Sequence, residues 1–450
     1  MSERTPEDLA GIDRAHLIHP YLPASTRERV VMVRGEGSRL WDAGGREYLD
    51  ATGGLWLAQV GHGRRELAEV AGEQMSRLEY FTSFWEFSND RAIALAQRLV
   101  SLAPAPLDHV YFTSGGSEGN EAAIKMARYY HHRRGEGSRT WILGRHRAYH
   151  GIGYGGGSVS GFPLYHEGFG PMMPHVRHLT PPWPYRTELY EGQDCTDYCI
   201  AELERTIAEI GPENIAAMLG EPIMGVAGMV VPPADYWPRV AEVLRRHGIL
   251  LILDEVVTAY GRVGRWFAAE HFGVTPDIMV TAKGITSGYL PLGAVLVSGE
   301  VSGVLGRDHG FPMGYTYNGH PTACAVALAN LDIIEREGLL ERAVKIGDFL
   351  AAELRRCLAG VDVVGEVRNV GMMLGVELVA DPATREPLPG IQGIADAIRA
   401  EHGVIARDAA TALVLSPALT LTEPEAGTIA SAIAEVLART GRDGTVRAGR

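Results

Sequence analysis

The 450-residue chain is short of cysteine, of positive charge and of long apolar runs, and each shortage removes a class of function. Four cysteines are too few for a disulfide framework, and Cys195 and Cys199 lack the second pair that a structural zinc site would need. All four are expected as free thiols. Lys and Arg number 42 against 55 Asp and Glu, a net charge of −13, and no long basic run offers a nucleic-acid surface. No stretch reaches the roughly 18 consecutive apolar residues of a membrane span. The start, MSERTPEDLAGIDRAHL, is polar where a signal peptide would be apolar. A soluble cytoplasmic protein with small-molecule partners is expected. There is no internal repeat or low-complexity tract.

What is present is a chain 46% hydrophobic, long enough for more than one domain. SRLWDAGGREYLDATGGLW reads as two short strands around a turn at Asp42 to Gly45, ahead of the main pattern. From about residue 90, helical and strand patterns alternate, with strands at HVYFT, TWILG, IAAMLG and ILLILD. Such alternation predicts a mostly parallel sheet wrapped by helices. Between 145 and 195 the periodicity fails, as in a functional loop or an irregular surface excursion. After 320 come a helix and a smaller α+β region with strands near GMMLGVELVA and ALVLS. Three units follow: residues 1–60 contributing to a small domain, 61–320 as the large domain, and 321–450 as a C-terminal small α+β domain. The polar, glycine-bearing end is expected to fray.

Asp254 ends the apolar run GILLILD, at the edge where parallel strands present ligand groups. Lys283, in TAKGITSGYLPLGAV, is a single lysine among glycines and apolar residues, able to form a Schiff base. A pyridoxal ring needs such a lysine and also an acid opposite its nitrogen. Alone, each could be a turn cap or a solvated loop lysine. In YFTSGGSEGNEAAIKMAR a strand runs through glycines into a helix, so that Gly116 and Ser117 could cradle a phosphate, or Ser117 could simply cap the helix. Gly151, Gly153 and Gly156 satisfy GxGxxG, but no helical pattern follows, and a dinucleotide loop is set aside. Tyr149 just before them could stack on a flat cofactor or be an ordinary packed aromatic. His146, His150 and His175 lack the partners and spacing of a metal site, so no metal is expected.

Taken in order, GGSEGNEAAIKMAR, YHG, GEPIMG, LILDEVVTAYGRVG, AKGITSGYLPLGAV and YTYNGHPTACAVALA resemble the class III aminotransferases, pyridoxal phosphate enzymes of fold type I, over roughly residues 30 to 440. The resemblance implies an α/β fold with a large domain built on a mostly parallel seven-stranded sheet plus a smaller α+β domain. It implies that Lys283 carries the cofactor as a Schiff base, Asp254 pairs with the ring nitrogen, and Tyr149 and Val256 flank the ring. Gly116 and Ser117 resemble the phosphate cup, Glu221 lies near the ring hydroxyl, and Thr316 reaches a phosphate in the neighbouring subunit. The site would then be shared in a homodimer, possibly within a tetramer.

Trp56 and Arg407 resemble two residues of the ω-amino acid:pyruvate transaminase group, in which the arginine binds a substrate carboxylate and swings aside for an amine without one. Asp408, Ala409 and Ala410 depart from that group's Pro or Gly after the arginine, and Asp408 could pair with Arg407 and hold it aside. Val226 stands where relatives that accept bulkier amines often have alanine, which suggests a narrow pocket for small substituents. Phe84 either lines the same cleft or packs in the core. The expected activity is transfer of an amino group from an ω-amino acid or amine to a 2-oxo acid, with pyruvate as the expected acceptor, by a ping-pong route. A 2-oxoglutarate-dependent 4-aminobutyrate or ornithine type enzyme, or an aminomutase, is the alternative within the superfamily. A non-catalytic pyridoxal phosphate binding protein is the alternative outside it.

Overall fold

The computed structural model describes residues 5–23, 25–26 and 28–448. The central sheet has seven strands in the order Leu107–Thr113, Gly293–Ser298, Ile278–Thr281, Leu250–Asp254, Ile215–Gly220, Trp141–Arg145 and Val176–Leu179. Gly293–Ser298 runs antiparallel to both neighbours, and every other pairing is parallel. The IAAMLG, LLILD and IMVT strands are buried at every position, as continuous apolar runs must be when helices cover both faces. Helix Tyr236–Arg246 shows how: Trp237, Val240, Val243 and Leu244 turn inward while Arg245 and Arg246 stay out. Asp194 caps helix Cys195–Ile210 by accepting from the Thr196 and Asp197 N–H groups, and Gly211 ends it at φ 86°.

Two smaller sheets lie beside this unit. Strands Met32–Glu36, Arg39–Asp42 and Glu47–Asp50 form an antiparallel meander around the expected turn. Strand Val404–Ile405 joins it in parallel, so the two ends of the chain share a sheet. The other sheet runs Val364–Val370, Met373–Asp381, Ala412–Leu415, Arg407–Ala409, all antiparallel. Helices Leu339–Cys357 and Glu423–Leu437 pack together beside it through buried residues such as Leu350, Leu354, Ile429 and Ile433.

Two local expectations are corrected. The end of the chain does not fray within the described residues: Thr440 bridges Val446, Gly441 N–H donates to Thr445 O at 3.0 Å, and Arg439 Nη1 donates to Arg447 O at 2.5 Å. Residues 449 and 450 lie outside the described residues. The aperiodic 145–195 stretch contains a strand, Val176–Leu179, at the sheet edge, and a helix, Tyr154–Val159, that begins within the GxGxxG run and continues past it. Glycine disguised that helix: a Cβ at Gly156 would come 2.3 Å from His150 O, and the Gly156 N–H donates to Glu121 Oε1 at 2.8 Å. A carboxylate thus occupies the position where a dinucleotide loop would offer its donors to phosphate. The four cysteines are free thiols. Among the described residues, no helix is long and apolar enough to cross a membrane.

Candidate active site

Two neighbouring strands deliver acids to the carboxyl edge of the central sheet. Leu250–Asp254 ends on Asp254, which is buried. Its Oδ2 accepts from Asn120 Nδ2 at 2.7 Å and lies 2.8 Å from His150 Nδ1, while Oδ1 accepts the Val256 N–H at 3.1 Å. Glu221 follows strand Ile215–Gly220 and accepts from Tyr149 N–H at 3.1 Å and Gly225 N–H at 2.9 Å. Burial pushes the Glu221 carboxyl up, against the pull of His150 and Arg145. The acids therefore differ in surroundings: one is met by two side-chain donors, the other only by backbone.

Lys283 starts the turn after strand Ile278–Thr281 with φ 50°, in the left-handed region that a side chain rarely adopts. Gly284 has to follow, because a Cβ there would come 1.9 Å from Gln59 Nε2. Burial lowers the Lys283 amine to about 8, overcoming the attraction of Asp254 and Glu221, and the positive charge of Arg407 pushes the same way. An amine so placed exists partly as the free base near neutral pH, which a solvated loop lysine does not. Its Nζ lies 5.5 Å from the centre of the Trp56 ring.

Opposite the acids, helix Gly116–Arg133 starts from Gly115 with no side-chain cap, so Ser117 sits inside the first turn and is not the cap. The first N–H groups of a helix have no acceptor within it and favour an anion. A Cβ at Gly116 would collide with Val256 Cγ2 at 2.8 Å, and one at Gly151 with Ser117 Oγ at 2.6 Å. The cradle is thus built by close approach. Gly116, Ser117, Tyr149, Glu221, Asp254, Val256 and Lys283 line one cavity of about 170 Å³ together with Trp56 and Val226.

Asn120 and His150 line it too, and the sequence reading did not assign them there. Asn120 had a signal, standing four residues after Gly116 and three after Ser117, hence on the same helix face. His150 had none, because only the fold brings it to Asp254. His175 stacks on Trp141 and His146 lies against His178, so the three histidines part company. Among the described residues, no group of three or more His, Cys, Asp or Glu is arranged to hold a metal ion.

Phe84 and Asp408 are placed otherwise than expected, while Thr316, expected to serve the neighbouring subunit, lies away from its own chain's cavity. Phe84 does not line this cavity but a separate one with Trp85, Met313 and Gly314, where its ring fills the space a Gly314 side chain would need. Thr316 is exposed close to that second region, its carbonyl accepting from Tyr80 OH at 2.8 Å, and is likewise absent from the Lys283 cavity of its own chain. Asp408 makes no ion pair with Arg407: successive strand residues face opposite sides of a sheet, and both lie within strand Arg407–Ala409. Arg407 is exposed, and its charge acts on Lys283 and Tyr149.

The donor set suits pyridoxal phosphate. A helix start and Ser117 favour its phosphate, and Asp254 Oδ1, with one donor, has a lone pair left for a protonated ring nitrogen. His150 Nε2 and Asn120 Oδ1 are buried without partners beside it, polar atoms that a polar ligand would satisfy.

Comparison with known proteins agrees. Residues 21–437 match the family aminotransferase class-III. The chain is 36% identical over 424 residues to putrescine–pyruvate aminotransferase of Pseudomonas aeruginosa, covering 91% of each chain. It is 37% identical to diaminobutyrate–2-oxoglutarate transaminase of Halomonas elongata, covering 92% of this chain and 89% of that one. Among solved structures, an (S)-enantioselective ω-transaminase from Thermomicrobium roseum superposes with a TM-score of 0.92 at 47% identity, over 96% of this chain and 98% of that one. An amine transaminase from an uncultivated Pseudomonas species, solved with pyridoxal phosphate bound, gives 0.89 at 41% identity, over 93% and 97%. The chain belongs to the class III aminotransferases, which work with pyridoxal phosphate.

Proposed function

We propose that this aminotransferase moves the amino group of an ω-amino acid or simple amine to a small 2-oxo acid, with pyruvate as acceptor. The observation that carries the reading is Arg407, a guanidinium with no carboxylate partner within the described residues, close enough to act on Lys283. A planar fork of donors suits a substrate carboxylate, and Arg407, exposed and outside the residues that line the cavity, would swing in for a carboxylate and stay aside for an amine without one. Val226 and Trp56 narrow the cavity beside it, which favours small substituents.

Bound pyridoxal phosphate supplies a ring that takes up the electrons left at the substrate carbon. Asp254 holds negative charge at one end of the cavity, and Asn120 and His150 keep its carboxylate turned toward that end. Against a protonated ring nitrogen such a charge contributes about 4 kcal/mol at a separation near 4 Å and an effective dielectric near 20. Gly116 and Ser117 would anchor its phosphate, Tyr149 and Val256 would flank its ring, and Glu221 would serve the ring-hydroxyl side. Lys283 Nζ is the base that takes the proton from the substrate carbon bearing the nitrogen, a task that its lowered affinity for protons suits. Trp56 and Ile223, both buried, give the cavity apolar walls.

A second reading, a 2-oxoglutarate-dependent enzyme acting on 4-aminobutyrate or ornithine, draws support from the relative named for 2-oxoglutarate. Half-reactions with alanine and with glutamate, followed by cofactor absorbance, separate the two. Alanine should react at least about tenfold faster, the discrimination expected of a pocket that rejects extra length. Equal or reversed rates favour 2-oxoglutarate.

Thr316 and Phe84 belong in this proposal to the partner's site in a homodimer, with Trp85 and Tyr317 exposed on the same face, 84% and 60% open. Lys283→Ala and Thr316→Glu should each be inactive alone. Refolded together they should regain about a quarter of wild-type activity, because one site of each mixed dimer escapes both defects. A mixture that stays inactive places Thr316 in its own chain's site.

A further inference from the structure

The wall that carries Val226 and the strand that carries Arg407 are separated in sequence, yet both are held by one buried charge network that does not touch the cavity. Residues Met224 and Val230 close a tight loop by pairing both ways at 3.0 Å, and Val226 stands within that loop. At its far side Gly228 has φ 107°. The Gly228 carbonyl accepts from Arg368 Nε at 3.0 Å and Nη2 at 2.5 Å, and Met229 O accepts from Nε at 3.1 Å.

Strand register places Arg368 and Arg407 on one rung of the antiparallel sheet. Arg368 is opposite Gly375, Gly375 opposite Val414, and Val414 opposite Arg407. Residues opposite one another across a sheet share a face, so both arginine side chains project on the side where the Gly228 loop lies. Gly375, between them, makes room for that loop: a Cβ there would come 2.5 Å from Gly228 O. A Cβ at Gly228 would meet Arg368 Nη2 at 2.9 Å, Ala412 Cβ at 3.1 Å and Ala409 O at 3.4 Å. The loop is therefore wedged between Arg368 and the turn that follows Arg407.

Two residues further along the strand, on the same face as Gly375, lies Glu377, fully buried. Its Oε2 accepts from Arg368 Nη2 at 2.8 Å, and its Oε1 from Arg186 Nη2 and Thr411 Oγ1, each at 2.6 Å. Thr411 is in the turn between strands Arg407–Ala409 and Ala412–Leu415. Glu377 thereby ties that turn, through Arg368, to the Gly228 loop. Three guanidinium groups, those of Arg147, Arg186 and Arg368, also lie 5.3 to 5.7 Å from the Trp183 ring centre and hem the network in.

We propose that Glu377, acting through Arg368 and Thr411, is a positioning residue that sets the gap between the Val226 wall and the Arg407 strand and so determines which amines and oxo acids the enzyme accepts. This rests on the reading that Val226 and Arg407 meet substrate. Small displacements of a group that orients substrate change rates by as much as about a hundredfold per ångström, whereas a loss of folding alone lowers every rate alike.

The test compares two ratios of kcat/KM in holoenzyme: an amine with a larger second substituent against a small one, and pyruvate against an aldehyde acceptor. Thr411→Val deletes one hydroxyl that donates to Glu377 and should change at least one ratio about threefold, with cofactor occupancy unchanged. Arg368→Lys deletes the fork on Gly228 and should change one or both about tenfold. Glu377→Gln, which places an amide against two guanidinium groups, should behave like Arg368→Lys if it folds. Val226→Ala and Arg407→Ala serve as direct controls, one for each ratio. If the controls shift the ratios while Thr411→Val and Arg368→Lys lower all rates in common, the positioning role is overturned and the substrate reading stands. If the controls leave both ratios unchanged, the substrate reading fails and the inference with it.

Discussion

At the carboxyl edge of the central sheet, polar groups are left with open valences; on the face of the C-terminal sheet Glu377 and Arg368 are closed, with Trp183 Nε1 beside them the exception. Among the described residues, His150 Nε2 and Asn120 Oδ1 are buried without partners, and burial holds the Lys283 amine below its ordinary proton affinity. Glu377, by contrast, takes three side-chain donors on its two oxygens, and Arg368 spreads its donors over two carbonyls and two carboxylates. Unpaired buried groups cost free energy unless a ligand satisfies them, so the first region is built for a guest and the second for rigidity. Substitutions should accordingly cost chemistry in the first region and selectivity or stability in the second.

The largest effect is expected for Lys283→Ala, which on the proposed reading removes the base and the Schiff-base amine together. Transamination should vanish while the fold survives, and borohydride reduction of wild type with cofactor bound should label Lys283. Turnover near wild type, or label on another lysine, would refute the assignment. Next comes Asp254→Asn. Cofactor should still be retained through the helix start at Gly116, but the rate should fall by several orders of magnitude, because an amide offers no counter-charge to a protonated ring nitrogen. Single-turnover absorbance changes measure this directly.

Arg407→Ala should lower kcat/KM for pyruvate about a hundredfold, in line with the loss of a charged hydrogen-bonded pair. A simple aldehyde acceptor should change little, and equal losses for both would make Arg407 structural.

The smallest effect concerns stability of the cofactor-free protein. The folded-state amine of Lys283 titrates near 8, below its ordinary 10.5, so between those values the unfolded chain binds the proton and the folded one does not. Stability therefore falls as pH drops from about 10.5 to about 8 and levels off below, by up to about 3 kcal/mol. Denaturant midpoints of wild type minus those of Lys283→Ala isolate this contribution from tyrosines and cysteines titrating in the same range. A flat difference would mean that the cavity solvates the amine.

Much of the central unit was legible because it is local. Fully apolar runs such as LLILD and IMVT can only be strands covered on both faces, and an acid or a lysine at their ends lies at the ligand edge. Asp254 was found this way, Lys283 from its setting among glycines and apolar residues, and Gly116 and Ser117 from a strand running through glycines into a helix; the structure gathers all four around one cavity. The helix at Tyr154–Val159 was missed because three consecutive glycines carry no periodic apolar signal, and their role is to let Glu121 and His150 approach. Phe84 looked like a neighbour of Lys283 by motif, yet its own chain holds it at another cavity, whereas the resemblance assigns Thr316 to the neighbouring subunit's phosphate.

The sequence by itself determined which segments are buried strands and which residues stand at their carboxyl ends, since hydrophobic period and chain direction are properties of consecutive residues. Tertiary structure alone decided that His150 meets Asp254, that Asp408 turns away from Arg407, and that Arg368 grips the loop of Val226. Those relations depend on strand register between distant segments, where a shift of one residue would turn every side chain to the other face, and no local pattern encodes it.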